Sequence, residues 1–216
     1  MTRGILIAGN ESSLLSALAT EAANRVEAFT VAIIPNRFPE AGPKVPVPEK
    51  AIILPWNPSS PISVRTLIFA AENRMKKIHD AILVCSPPVI DKNADTLTPD
   101  DIDVIVNDHI KGWFLLIREL AISLGRNETS SLYLVENACG KNQDTVANLL
   151  GQAASASFRA FAQGVLGSSF SESNQVMGFS TSQKDAPEKA ASWIFKTIDK
   201  GTEKDYGKWH KYSRWF

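Results

Sequence analysis

With three histidines and two cysteines, the chain has few residues able to move a proton or attack an electrophile. A histidine hydrogen-bonded to a thiol works as base and nucleophile, so His109 with Cys85 or Cys139 is the pairing that such chemistry would use. Spacing alone does not bring them together, and a single helix histidine is more often a satisfied polar contact. A second group is the string Ala8-Gly9-Asn10-Glu11-Ser12-Ser13-Leu14-Leu15, which joins an apolar strand to a helical pattern. Ser12 or Ser13 is expected to cap that helix, with Glu11 at its positive end. A third is the tail, where Tyr206, Trp209, Tyr212 and Trp215 stand three apart among Lys208, Lys211 and Arg214. Basic and aromatic interleaving can bind nucleic acid, but large aromatics are enriched in buried interface cores, so packing over the domain or a neighbouring subunit is expected. Cys85 and Cys139 form neither a CxxC pair nor a disulfide scaffold, and no residue set is assigned to a metal.

These groups need a scaffold, and the chain of 216 residues, 44% hydrophobic, suffices for one α/β domain with a substantial core. Basic and acidic residues balance at 23 each, which argues against a nucleic-acid groove or an anionic membrane as the main partner. The first apolar run is short for a signal peptide, and none approaches a membrane span in length, so a cytoplasmic protein is expected.

Six strands are expected, at Gly4–Ala8, Phe29–Ile34, Ala51–Leu54, Ala81–Cys85, Ser131–Val135 and Gln175–Phe179, each nearly continuously apolar as parallel strands covered on both faces must be. Helical patterns run over Ser13–Arg25, Ile62–Lys77, Pro99–Leu124, Thr145–Gly167 and Pro187–Lys200. Alternation implies right-handed crossovers and a doubly wound, mostly parallel Rossmann-like sheet in one domain, 1–216, with an aromatic-rich tail at about 201–216. The proline-rich stretch from Asn36 to Pro61 leaves little room for a helix, so part of one sheet face should be less covered there. Ligands in such sheets bind beyond the carboxyl ends of the strands, where strand order reverses.

Three strings, in order, carry a resemblance. Asp103-Val-Ile-Val-Asn-Asp-His-Ile-Lys-Gly-Trp-Phe-Leu-Leu, Ser131-Leu-Tyr-Leu-Val-Glu-Asn-Ala-Cys-Gly and Gly151-Gln-Ala-Ala-Ser-Ala-Ser-Phe-Arg-Ala-Phe resemble the long helix, fifth strand and following helix of the short-chain dehydrogenase/reductase family. The resemblance covers nearly the whole chain and implies an NAD(P)-binding domain. It places the family's cofactor loop, T-G-x-x-x-G-x-G, on Gly9, Asn10, Ser12 and Ser13, with Arg37 where NADP-using relatives hold a ribose phosphate. Only Gly9 is kept; Ser13 and Leu15 put Cβ atoms where close approach is needed, and Glu11 adds a negative charge. Two charges about 4 Å apart at an effective dielectric of about 20 repel by roughly 4 kcal/mol, about a thousandfold in affinity.

The family's catalytic Asn, Ser, Tyr and Lys fall on His109, Asn137, Gly151 and Ser155. Glycine cannot transfer a proton and serine cannot supply the cation; a shift by one, to Gln152 and Ala156, restores neither. After the fourth strand, Pro87 and Pro88 remove backbone donors. Through the resemblance, His109, Asn137, Cys139, Cys85 and Gln152 are expected near the carboxyl ends of the fourth and fifth strands. The reading is a divergent member without ordinary dehydrogenase activity, with no assigned cofactor, acting as a homo-oligomer or as the inactive partner of an active relative. Helices 99–124 and 145–167 are expected to form a two-fold interface, giving a dimer or tetramer. The alternative is an NAD(P)-dependent oxidoreductase for a small carbonyl or alcohol, with an atypical proton donor such as His109.

Overall fold

The computed structural model describes residues 3–26, 29–34, 46–90, 92–126, 130–138, 148–167, 174–182 and 185–212. Strands β1 (Ile5–Asn10), β2 (Phe29–Ile34), β3 (Ala51–Pro55), β4 (Asp80–Cys85), β5 (Ser130–Ala138), β6 (Asn174–Ser182) and β7 (Trp209–Lys211) form one parallel sheet in the order β3-β2-β1-β4-β5-β6-β7. The order reverses between β1 and β4, whose residues are all buried, so the switch point lies at the centre of the sheet.

Because successive side chains leave a strand on opposite faces, the apolar runs divide into two cores. Leu6, Ala8, Leu83 and Leu134 face α2 (Pro61–Met75), α4 (Gly112–Leu124) and α5 (Leu149–Gly167), while Ile5, Ile7, Val84 and Val135 face α1 (Ser13–Ala23) and α6 (Pro187–Lys200). A near-continuous apolar strand satisfies both faces at once. Ile53 of β3 is 55% exposed, in keeping with the less covered face expected beside the proline-rich stretch, of which residues 36–45 lie outside the described residues.

Two features differ from the sequence reading. Trp209–Lys211 forms a seventh strand against β6, in the register Gly178↔Trp209, and the indole fills the space where a Cβ at Gly178 would stand, 2.1 Å from Trp209 Cε3. The tail as far as Tyr212 packs on the domain: His210 stacks on Phe179 and Tyr212 meets Trp193 edge-on, at centroid separations of 5.5 and 5.4 Å. The long helix is also divided, into α3 (Pro99–Val106), a π-helical turn over Asn107–Lys111, and α4. Single π turns widen a helix locally and are frequent at functional sites. Here the turn carries His109, only 5% exposed.

Candidate functional site

At the switch point a cleft of about 300 Å³ opens beyond the carboxyl ends of β1, β2, β4 and β5. Asn10, the last residue of β1, occupies its floor and holds two walls together. Its side-chain oxygen accepts from the Ser86 backbone N–H at 3.3 Å, which turns its NH2 toward His109, 2.8 Å from Nδ1 and 3.4 Å from Nε2. An NH2 group only donates, so a His109 ring nitrogen must accept and is unprotonated in this arrangement. On the β5 side, Asn137 donates through Nδ2 to Ser86 Oγ at 3.0 Å and accepts from Thr181 Oγ1 at 3.1 Å. The network thus ties β1, β4, β5, β6 and the π-helical turn together without a formal charge.

The mouth is made by Glu11, Ser12 and Ser13. Ser12 caps α1, its hydroxyl accepting from the Leu15 N–H at 3.2 Å, as expected for this residue type at a helix start. Leu15 points away from the cleft into the core, with its Cδ1 3.1 Å from the place of a Cβ on Gly9. A Cβ on Gly9 would also stand 2.8 Å from the Val84 carbonyl oxygen, so this glycine lets β1 approach β4 and does not itself line the cleft. Ile34, beside Glu11 and accepting from its backbone N–H at 3.3 Å, and Pro87, Pro88 and Val89 after β4 add apolar lining.

Of the positions assigned through the resemblance, His109, Asn137, Asn10, Ser12 and Ser13 meet in this cleft, while Gly151 and Ser155 do not line it. Ser155 turns to Glu136, donating to Oε1 at 3.0 Å, while Ser180 donates to Oε2 at 3.1 Å and Arg159 Nη1 lies 3.5 Å from the same oxygen. Gly151 sits in the first turn of α5, capped by Asn148, whose Oδ1 accepts from the N–H groups of Gly151 and Ile90 at 3.2 and 3.1 Å. A Cβ there would stand 2.4 Å from Asn148 Oδ1 and 2.7 Å from the Pro88 carbonyl oxygen. Cys85 is buried in the core, Gln152 is exposed away from the cleft, and Arg37 and Cys139 lie outside the described residues. Among the described residues no group of three His, Cys, Asp or Glu could hold a metal ion.

Sequence reasoning missed Asn148, Glu136, Thr181 and the lining residues Ile34 and Val89. Four of them could have been found by inspecting the residues that end or follow each strand, since that edge faces the ligand in an open α/β sheet. Asn148 gives no such signal, being an ordinary polar residue before a helix.

The residues present fit a nicotinamide dinucleotide poorly. A carboxylate lines the cleft beside the start of α1, no described lysine or arginine lines it, and prolines stand where backbone donors would be wanted.

No family model matches the sequence, and no curated protein matches it significantly. Solved structures do match in fold. A short-chain dehydrogenase/reductase family oxidoreductase from Aeromonas hydrophila superposes with a TM-score of 0.76 at 13% identity, over 98% of this chain and 99% of that one. The 3-ketoacyl-(acyl-carrier-protein) reductase from Brucella melitensis, solved with NADH, gives 0.74 at 14% identity, over 97% and 96% of the two chains. A short-chain dehydrogenase from Burkholderia cenocepacia J2315 in complex with NADP gives 0.72 at 14%, over 97% and 95%. The chain therefore has the fold of the short-chain dehydrogenases/reductases over nearly all of its length.

Proposed function

We propose that this protein acts by binding, without ordinary dehydrogenase turnover, as a homo-oligomer or as the inactive partner of an active relative. The observation that carries the reading is Gly151: the position that the resemblance gives to the proton-donating tyrosine is closed against even a Cβ by Asn148 and the Pro88 carbonyl. Among the described residues no tyrosine or lysine lines the cleft to take over the task. Supplied with NADH or NADPH and a panel of small carbonyl compounds, the protein is expected to show no turnover above background. Robust turnover that disappears when a cleft residue is changed overturns the reading.

A second reading, an NAD(P)-dependent oxidoreductase for a small carbonyl or alcohol with His109 as proton donor, draws on the short Asn10–His109 contact at the switch point. Calorimetry with the four nicotinamide nucleotides separates the two, since no heat at millimolar ligand removes the second.

The assembly proposed is an isologous dimer, or a tetramer built from it, through α3–α4 and α5. In its support, Phe114 is 51% exposed with its ring 4.2 Å from that of Phe161, and Ile102 and Val106 are 42% and 43% exposed on the neighbouring helix. Light scattering should give at least twice the chain mass, and Phe114→Glu should reduce it to one chain; a monomeric parent ends this part of the proposal. A cytoplasmic setting fits two cysteines without CxxC spacing. Among the described residues no helix is long and apolar enough to cross a membrane.

A further inference from the structure

The cleft carries more information about its occupant than the absence of a tyrosine. Four of its polar side chains are nearly inaccessible: Asn10, Ser86, His109 and Asn137 are 5, 7, 5 and 4% exposed. They are neutral hydrogen-bonding groups held in place by one another, because Asn10 bridges Ser86 and His109 while Asn137 bridges Ser86 and Thr181. Such a wall offers both donors and acceptors to a neutral ligand and no countercharge to an anion. Among the described residues, the one formal charge on the lining is the Glu11 carboxylate, next in the chain to Ser12 and Ser13.

A carboxylate accepts two hydrogen bonds side by side, which matches a pair of adjacent hydroxyl groups and opposes a phosphate. The lining also includes Ile34, Pro87 and Val89, which add apolar surface that a flat ring can use. The volume, about 300 Å³, stands at the lower end of small-molecule sites. It suits one ring with its sugar better than two nucleosides joined by a pyrophosphate.

We infer that the cleft is a site for an uncharged, hydroxyl-bearing molecule of the nucleoside type, and that Glu11 selects against its phosphorylated forms. This rests on the proposed binding role, and names the ligand class for the same cleft.

The test is calorimetry on the full chain with adenosine, AMP and ADP as probes. Adenosine should bind at millimolar concentration or better, AMP about tenfold more weakly, and ADP more weakly still, from the like charge of Glu11. Glu11→Gln keeps the size of the side chain but exchanges one acceptor oxygen for a donor, so it should weaken adenosine several-fold while closing most of the gap between adenosine and AMP. The far-ultraviolet dichroism of the variant should match the parent. Three outcomes overturn the inference: no adenosine binding, AMP or ADP binding as tightly as adenosine, or the same discrimination in Glu11→Gln. A dinucleotide that binds tightly without being turned over ends this inference alone, whereas turnover with NADH or NADPH ends the proposed function.

Discussion

At the amino ends of β1 and β4, Arg3 donates to both carboxylate oxygens of Asp80, at 2.7 Å through Nη2 and through a shorter contact from Nε. At the carboxyl ends of the same two strands, Asn10 holds Ser86 and His109 by neutral hydrogen bonds beside an open cleft. The first end is closed by an ion pair and by backbone at close quarters: the Gly4 carbonyl accepts from the N–H groups of His79 and Asp80 at 2.9 and 3.2 Å, and His79 Nδ1 accepts from the Gly4 N–H at 2.9 Å. Burial there raises the Tyr133 hydroxyl well above its usual range, with Asp80 adding to the effect, so that this ring stays neutral. One edge of the sheet therefore spends its polar groups on closing the chain upon itself, and the other arranges them around a space. Changes at the first should cost stability and spare ligand binding; changes at the second should cost both.

The largest effect is expected at the closed end. A Cβ on Gly4 would stand 2.2 Å from the Lys77 carbonyl oxygen and 3.1 Å from Met75 Cβ, and neither belongs to a side chain that can swing away. Gly4→Ala should therefore destabilise by about 3 kcal/mol, the upper part of the range for overpacking. For a chain of this length that lowers the thermal midpoint by roughly 6–12 °C. Adenosine affinity, measured well below the transition, should remain that of the parent. A Gly4→Ala protein as stable as the parent would show that the two ends are equally tolerant.

At the open end, Asn10→Leu removes the acceptor used by the Ser86 N–H and the donor used by His109, both in buried surroundings. Because Ser86 and His109 line a cleft that water can enter, each lost partner costs toward the lower end of about 1–3 kcal/mol, so together they should lower the urea midpoint somewhat less than Gly4→Ala does. Unlike the glycine variant, it should lose adenosine binding by at least about tenfold, since the inner wall is no longer held. Equal binding by Asn10→Leu and parent would separate the network from the cleft's function.

How far the sequence foretold these two ends depends on the range over which each contact acts. The six apolar strands were legible because burial on both faces writes a continuous pattern, and the family resemblance was enough to bring His109 and Asn137 to one edge. The seventh strand was not, since Trp209-His-Lys has no apolar run and owes its place to the gap above Gly178. The π-helical turn at Asn107–Lys111 left the apolar periodicity around it readable as one helix. Gly151 and Ser155 were catalytic positions only through the resemblance, and their surroundings depend on Glu136, 19 residues upstream of Ser155, and on the Pro88 carbonyl from another part of the chain. Such contacts are set by tertiary packing and leave no local spacing to read.

The smallest effect in the comparison should come from His79, beside the Arg3–Asp80 pair. Burial lowers its pKa below the usual 6.5, the nearby Lys77 charge lowers it further, and Asp80 opposes both without reversing the direction. The hydrogen bond agrees, since Nδ1 accepts from the Gly4 N–H and a proton on that nitrogen would meet another donor. The unfolded chain therefore takes up this proton at higher pH than the folded one, and stability must fall as pH drops through about 6.5 toward the folded value. His79→Gln can offer an oxygen to the same N–H and has no proton to gain. Urea titrations at about pH 7.5 and 5.5 should show parent and variant diverging at the lower pH, with the parent losing more. Parallel losses would mean that this imidazole accepts its proton equally in both states, and that the closed end is less tightly committed than its geometry implies.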